Sequence, residues 1–179
     1  MLDNEILIGN VGRMMPQKNQ AFLIKVFAKY HKINLNTKLM IINDGPLLQA
    51  LQALAKELNV FDSVIFVGPK ADLYKYYSAF DLFTLPSIYE GLGIVLIEAQ
   101  ANGLKCIASM NVPTEVDGTG NIEFVKLDED EWLKTLIRVS YSRNEWNDCR
   151  DKLIAAKYDI DEATKELEVI YRQTLKLNK

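Results

Sequence analysis

Residues 81–109, with the sequence DLFTLPSIYEGLGIVLIEAQANGLKCIAS, decide the fold. The stretch contains a predicted strand, loop, helix and second strand, in the order Asp81–Leu85, Pro86–Gly93, Ile94–Ala101 and Lys105–Ser109. Gly103 is placed to end the helix as a left-handed C-cap. Two strands joined by a helix form a parallel crossover unit, so this stretch predicts an α/β fold.

The rest of the chain continues the alternation of β-rich and amphipathic runs. Four further strands are predicted at Ile6–Val11, Lys38–Asn43, Ser63–Val67 and Ile122–Val125. Helices are predicted at Gln20–His31, from Asp44-Gly45-Pro46 to about Leu58, at Ala71–Ala79, and from Asp128 to the end with a further start at Asp159. The pattern predicts a single Rossmann-like, doubly wound parallel sheet with helices on both faces and a helical C-terminal tail.

Composition and charge limit the class of protein. The 179 residues fit one soluble domain, since 49% are hydrophobic and 25% are charged. A net charge of −3 without a Lys/Arg cluster argues against a nucleic-acid partner. The apolar runs are too short to cross a bilayer. Cys106 and Cys149 lack metal-ligand spacing and are predicted to be free thiols, which suits a reducing cytoplasm.

In open parallel sheets, ligands bind outside the carboxyl ends of the strands, so the segments that follow the strands are the candidate site. These segments are Gly12–Asn19, Asn43–Pro46, Gly68–Lys70 and Pro86–Gly93. They bring glycines, two cations and a carboxylate to one edge of the sheet. We therefore expect a pocket there.

The segment from Glu90 to Glu98 favours an anionic ligand. Gly91 and Gly93 precede a helix, where backbone N–H groups and the helix dipole attract negative charge. Glu98 lies in the apolar run IVLIEAQA, where a carboxylate needs hydrogen-bond donors, and the two hydroxyls of a ribose would supply them. The alternative for Glu98 is a structural role, capping a backbone group or pairing with a Lys.

Arg13 and Lys18 are suited to neutralising a diphosphate in the same pocket. Arg offers a planar fork of donors and Lys a point charge on a flexible stem. The alternative is a solvated loop that carries two cations by chance.

Zinc and serine-hydrolase chemistry are not indicated. The single histidine, His31, is interpreted as a partner of a helix dipole, and no G-x-S-x-G segment occurs. Asp128-Glu129-Asp130 reads as the acidic first turn of a helix.

Several ordered blocks resemble one known family. They are Gly12-Arg13 with Gln17-Lys18-Asn19, Asp44-Gly45-Pro46, Val64–Gly68, Ala79–Phe83, Leu85-Pro86-Ser87, and Glu90-x7-Glu98 continuing to Gly103. On these blocks the chain resembles the C-terminal, donor-binding domain of family-four retaining glycosyltransferases of the GT-B fold. Gln100, Asn102 and the segment Pro113–Gly120 further resemble transferases of bacterial capsular and exopolysaccharide assembly.

The resemblance implies roles for the matching positions. Arg13 and Lys18 would hold the donor diphosphate, Glu90 would face the donor sugar, and these three would be the catalytic residues. Glu98 would bind the ribose. The full donor-binding set would be Gly12, Arg13, Lys18, Gly68, Pro69, Lys70, Glu90, Gly91, Leu92, Gly93 and Glu98. No metal or other cofactor is expected, because the cations and the helix dipole would neutralise the donor.

The resemblance also implies an organisation. Residues 1–158 would be the nucleotide-sugar domain, and residues 159–179 a helix packed on it. The acceptor-binding N-terminal domain would be absent, which agrees with a start in which Met1–Glu5 lead directly into the first strand. The reaction would move a hexose, with retention, from a nucleotide sugar (UDP is favoured) to a saccharide or lipid-linked acceptor. The whole enzyme would be cytoplasmic, associated peripherally with the inner face of the membrane.

Departures from the family pattern affect the donor sugar more than the class. Asn43 and Asn19 stand where Gly is common, and Leu92 replaces a frequent Phe. Two alternatives stay open from the sequence: a nucleotide-sugar 2-epimerase-like half-domain, and a nucleotide-binding module without catalysis. We expect the chain to bind a nucleotide sugar weakly without turnover, because GT-B catalysis needs two domains to close around the donor.

Overall fold

A computed structural model describes residues 5–141 and 145–177, in which six strands alternate with seven α-helices. The strands are β1 (Ile6–Val11), β2 (Thr37–Ile42), β3 (Val64–Val67), β4 (Leu82–Leu85), β5 (Cys106–Ser109) and β6 (Ile122–Val125). The helices are α1 (Gln20–His31), α2 (Leu48–Glu57), α3 (Leu73–Ala79), α4 (Ile94–Ala101), α5 (Glu129–Arg138), α6 (Trp146–Ala155) and α7 (Ile160–Leu177). Residues 1–4 of the predicted direct start, and residues 142–144 and 178–179 of the predicted helical C-terminal part, lie outside the described residues.

All six strands join one parallel sheet in the order β3-β2-β1-β4-β5-β6. This is the strand order of the Rossmann fold, and the predicted doubly wound parallel sheet is confirmed. From β1 the chain first adds β2 and β3 on one side of the sheet. It then returns to the other side of β1, where it adds β4, β5 and β6. The order therefore reverses between β1 and β4, which is where such sheets form a ligand crevice.

Two apolar layers cover the sheet because alternate strand residues point to opposite faces. Ile8 of β1 belongs to the layer that includes residues of α1, α2 and α5, and its neighbour Leu7 belongs to the layer that includes residues of α3 and α4. In the first layer, the rings of Phe22 and Trp132 meet edge to face with centroids 5.4 Å apart. With both faces covered, the strand ends are the part of the sheet left for a ligand.

Buried polar side chains fasten β1 to β4 just below the crevice. Asn10 Nδ2 donates to the carbonyl oxygen of Thr84 (2.8 Å), and Thr84 Oγ1 donates to the carbonyl oxygen of Gly9 (3.0 Å). Gly9 itself must lack a side chain, since a Cβ there would lie 2.2 Å from the ring of Phe80. These contacts fix the positions from which the two site loops leave the sheet.

The turn after β2 braces the loop after β1. Met14 N–H donates to the carbonyl of Asp44 (2.7 Å), and Leu47 N–H donates to the carbonyl of Met14 (3.1 Å). Gly45 lies against this backbone so closely that a Cβ would be 2.4 Å from the Met14 oxygen. The Asp44-Gly45-Pro46 block is thus explained by loop packing.

The C-terminal helices have clear starts, but α7 differs from expectation. Asp128 Oδ1 accepts from the N–H groups of Asp130 and Glu131, both at 3.0 Å, which confirms the first-turn interpretation of this acidic segment. Asp159 caps α7 in the same way.

The side chains from 160 to 174 are all exposed, so the packing predicted for this helix on the domain is not seen in them. Among the described residues, no helix combines the length and apolar character needed to cross a bilayer.

Candidate functional site

Three hydrogen bonds join the loop after β1 to the loop after β4. Ile88 N–H donates to the carbonyl of Gln17 (2.8 Å), and Gln17 Nε2 donates to the carbonyl of Tyr89 (2.9 Å). Lys18 Nζ contacts Glu90 Oε1 at 2.6 Å. The two loops leave neighbouring strands at the point where the strand order reverses, so this contact lies at the ligand crevice.

Glu90 is held by two donors on a single oxygen. Its Oε1 accepts from Lys18 Nζ and from Ser87 Oγ, each at 2.6 Å, and its side chain is only 7% exposed. None of the described residues donates to Oε2, so one carboxylate oxygen keeps its full capacity to accept from a ligand hydroxyl. The sequence predicted that Lys18 and Glu90 share a pocket, and the structure brings them into direct contact.

Arg13 supplies a second cation beside Lys18. Its side chain is exposed and makes no ion pair with any described residue. The preceding Gly12 is buried, and a Cβ there would lie 3.4 Å from Lys18 Cδ. This distance is ordinary van der Waals contact, so the Lys18 stem packs along the Gly12 backbone with room for a Cβ. Within the part of the chain that the structure describes, the loop after β1 thus carries one paired cation, Lys18, and one cation without an ion pair, Arg13.

The N-terminus of α4 begins directly after the Glu90 loop. Gly93 is its N-cap, with φ 85°, and neither a side-chain cap nor an acidic residue occupies the first turn. An uncapped helix start is a site of partial positive charge. Gly91 has no described atom within 4 Å of a built Cβ, so protein packing does not require a glycine there. The half-exposed side chain of Leu92 lies between the two glycines in sequence.

Glu98 is a half-buried residue of α4 that contacts α3. Tyr77 Oη donates to Glu98 Oε2 at 2.7 Å. Burial and the bond to Glu98 raise the pKa of the Tyr77 hydroxyl, so Tyr77 remains a donor at all physiological pH values. Of the two structural alternatives for Glu98, pairing with a Lys is not seen among the described residues. The contact with Tyr77 leaves Oε1 without a described donor.

The Gly68–Lys70 turn lies on the same edge of the sheet as the other loops. It follows β3, two strands away from β1, and all three residues are exposed. Lys70 makes no ion pair with a described residue. The structure thus brings the predicted loop residues to one edge, with Lys18 and Glu90 in contact and Gly68–Lys70 furthest along the sheet. Glu98 lies within α4 and lines a cavity with Arg150 of α6.

Three residues of this region were not singled out from the sequence: Ser87 and Gln17, which bond to the Glu90 loop, and Tyr77, which holds Glu98. Ser87 stands three residues before Glu90, a spacing that could have indicated a local contact. The other two contacts join residues 72 and 21 positions apart. No local pattern signals such pairs.

The remaining candidates have structural explanations. His31 Nδ1 lies 3.0 Å from Thr37 Oγ1, and its Nε2 lies 3.1 Å from Ser63 Oγ. Burial and the charge of Lys38 lower the pKa of His31, which favours the neutral ring over the cationic partner of the helix dipole that the sequence predicted. Cys106 and Cys149 are free thiols, as predicted, and both are buried. The described residues contain no group of three or more His, Cys, Asp or Glu side chains arranged to hold a metal ion.

Comparisons with known proteins identify the family of the chain. The sequence model of the family described as glycosyl transferases group 1 matches residues 2–145. A Bacillus subtilis glycosyltransferase, EpsF, is 36% identical over 140 residues, which cover 76% of this chain and 36% of the relative. The UDP-Gal:alpha-D-GlcNAc-diphosphoundecaprenol alpha-1,3-galactosyltransferase of Escherichia coli is 30% identical over 169 residues, 84% of this chain and 41% of the relative.

A solved structure shows the same fold. The crystal structure of Anabaena HepE in complex with UDP and glucose superposes with a TM-score of 0.75 at 20% identity, over 96% of this chain and 48% of that protein. At this identity the likeness concerns the fold alone. The chain spans less than half the length of each of these relatives.

Proposed function

The chain belongs to the group 1 glycosyltransferases and carries one Rossmann-like half of their GT-B fold, and from this premise we propose that it binds a nucleotide-diphosphate sugar at the β1–β4 crevice. The observation that carries the proposal is the contact of Lys18 with Glu90, next to an uncapped helix start and an unpaired Arg13. This arrangement offers positive charge for a diphosphate and a carboxylate for a sugar.

In the proposed complex the diphosphate lies between Arg13, Lys18 and the start of α4. The ammonium of Lys18 has three N–H donors, so it can keep its bond to Glu90 while donating to a phosphate oxygen. Each charge-assisted hydrogen bond contributes about 1.5–3 kcal/mol. As the bond between the sugar carbon and the diphosphate breaks, negative charge grows on the leaving oxygen, and these donors stabilise it.

The two carboxylates are proposed to bind different sugars. Glu90 Oε2 would accept from a hydroxyl of the transferred hexose, because Oε1 is already held by Lys18 and Ser87. Glu98 would accept from the ribose hydroxyls with the oxygen that Tyr77 leaves available. Gly12, Gly91, Leu92 and Gly93 would line the diphosphate and hexose, and the Gly68-Pro69-Lys70 turn would border the base.

The finer features of the reaction belong to the same proposal. The donor is a UDP-sugar, the transfer proceeds with retention, and no resident metal takes part, because Arg13, Lys18 and α4 neutralise the diphosphate. The relative from Escherichia coli is named for UDP-Gal and a diphosphoundecaprenol-linked acceptor, and HepE was solved with UDP. We extend this chemistry to a capsular or exopolysaccharide acceptor, bound by a second domain at the cytoplasmic face of the membrane.

The donor proposal is tested by binding. Calorimetry with UDP, GDP, ADP and their hexose derivatives should give measurable affinity for UDP and its sugars and weaker affinity for the others. Lys18→Ala and Glu98→Ala should each weaken UDP binding by about tenfold or more, since each removes a charged hydrogen-bonding partner.

Lys134→Ala is the matched control for these variants. Lys134 lies on α5 and is 68% exposed, and Glu131, one turn away, is its ion-pair partner among the described residues. Its loss should therefore leave UDP affinity unchanged. If the wild-type chain binds none of these nucleotides, or if all three variants behave alike, the proposed donor site is wrong.

A further inference from the structure

The side chain of Gln20 is buried directly beneath the loop that carries Arg13. Gln20 is the first residue of α1 and is 1% exposed. Its Nε2 donates to the carbonyl oxygens of Gly12 (3.2 Å) and Arg13 (3.3 Å). Both facing groups are acceptors, so the amide orientation is fixed by chemistry, because the reversed amide would place oxygen against oxygen. Among the described residues, Gln20 Oε1 has no hydrogen-bond partner.

These bonds set the direction of the neighbouring peptide groups. The peptide between Gly12 and Arg13 is trans, so its N–H points opposite to its C=O. Because the Gly12 oxygen points to the buried Gln20, the Arg13 N–H points away from the interior. None of the described residues accepts a hydrogen bond from this N–H. The next N–H, that of Met14, is already bonded to Asp44.

We infer that Gln20 is a positioning residue for the diphosphate: it turns the Gly12–Arg13 peptide so that the backbone N–H of Arg13 donates to a phosphate oxygen, alongside the Arg13 and Lys18 side chains. The inference deepens the proposed donor site and rests on it. Gln20 does not touch the ligand; it acts through the backbone to which it is bonded.

The test compares ligands with and without phosphates. Gln20→Met keeps the length of the side chain and removes the donor. It should raise the dissociation constant for UDP about tenfold, the effect of one lost charge-assisted hydrogen bond, while NMR titration with uridine gives an unchanged constant. Equal weakening for UDP and uridine would indicate a merely structural role and overturn the inference, as would unchanged UDP binding.

A second pair of variants tests the backbone N–H of Arg13 directly. This test remains informative if Gln20→Met does not fold. Arg13→Ala removes the guanidinium and keeps the backbone donor, whereas Arg13→Pro removes both. UDP should bind Arg13→Pro about fivefold or more weakly than Arg13→Ala, with uridine unaffected. Equal UDP affinities for the two variants overturn the inference while leaving the donor site in place. Failure of the wild-type chain to bind UDP at all rejects the proposed function, and the inference with it.

Discussion

Glu90 and Glu98 lie eight residues apart, and their carboxylates are held by different hydrogen-bond donors. Glu90 is restrained by a cation and a hydroxyl on the same oxygen, and its side chain is almost buried. Glu98 is half-buried and is restrained by the neutral hydroxyl of Tyr77. A carboxylate with one fixed and one available oxygen is suited to accept from sugar hydroxyls, since its orientation is already set when the ligand arrives.

Alanine substitutions at the two glycines of the Glu90 loop should have different effects, on ligand binding at Gly91 and on stability at Gly93. At Gly91 a Cβ meets no described atom within 4 Å, so Gly91→Ala should leave the thermal midpoint nearly unchanged and weaken UDP-sugar binding, because the methyl group would occupy ligand space. Gly93 has φ 85°, so Gly93→Ala should destabilise the domain by about 1–2 kcal/mol. Thermal melts and calorimetry on both variants measure this. Unchanged ligand affinity in Gly91→Ala would contradict the donor assignment of this loop.

His31 should make stability fall in weakly acidic solution. Thr37 Oγ1 donates its proton to the carbonyl of Asn34, so it accepts from His31 Nδ1–H, and His31 Nε2 accepts from Ser63. The folded pKa lies below the ordinary 6.5, so the folded state favours the neutral ring. The stabilisation is present above about pH 6.5 and is lost as the pH falls through the folded pKa.

The measurement is urea unfolding of wild type and His31→Gln at pH 7.5 and pH 5. At pH 7.5 the variant should be less stable by about 1 kcal/mol for each hydrogen bond lost. At pH 5 the difference in the free energy of unfolding between wild type and variant should be smaller, because only the wild type is destabilised by protonation of this ring. A stability difference that grows as the pH falls would show that the folded state prefers the protonated His31 ring, as the sequence interpretation predicts.

At the residue scale, the sequence supplied the types of site residue but not their partners. Gly12-Arg13 and Glu90 were identified because glycines, cations and acids next to predicted strand ends are chemically informative. The Lys18–Glu90 contact spans 72 positions and the Tyr77–Glu98 contact 21. Such pairs depend on how the loops leave the sheet, which a one-dimensional pattern does not contain.

At the element scale, predictability follows the strength of the periodic signal. Gln20–His31 and Ile94–Ala101 were predicted with the observed bounds, because a full apolar stripe or run defines each. The predicted Ala71–Ala79 begins two residues before the observed α3, which starts at Leu73. Strand order was not predictable, because each buried strand reads as the same short apolar run.

Helix α7 should be dispensable for the fold of the domain. Ile160, Leu167 and Tyr171 are among its exposed apolar side chains, and an exposed ion pair between Lys157 and Glu166 connects it to the preceding segment. Exposed pairs contribute only about 0–1 kcal/mol. Deleting residues 160–179 should therefore shift the thermal midpoint by about 2 °C or less, and it should reduce fluorescence of an apolar dye.

The same experiment decides the earlier expectation for this tail. If α7 packs on the domain in solution, as the sequence predicted, the deletion would expose core surface. The midpoint would then fall well beyond the small change expected here, and dye fluorescence would rise. UDP affinity serves as the internal control, because none of the donor-site residues lies in α7.

At the scale of the whole molecule, the site is a consequence of topology. The strand order reverses between β1 and β4, and the loops that leave these two strands carry the cations and the Glu90 carboxylate. The helix that follows β4 adds its uncapped N-terminus. The proposed donor site is thus assembled from segments far apart in sequence, and all of its named residues lie between β1 and α4.

We predict that the 179-residue chain binds a UDP-sugar but transfers no sugar. In the proposed site, Arg13, Lys18, Glu90 and Glu98 contact the diphosphate, the hexose and the ribose of the donor, and none of them is assigned to the acceptor. The relatives are more than twice as long as the stretch they share with this chain. Closure of a second domain excludes water and aligns the acceptor hydroxyl, and its loss costs many orders of magnitude in rate. An assay with radiolabelled UDP-hexoses and diphospholipid-linked saccharides should show no product with this chain, while the Escherichia coli relative, as positive control, forms one. Product formed by this chain alone, and abolished by Lys18→Ala, would prove the prediction wrong and place the acceptor site within these residues.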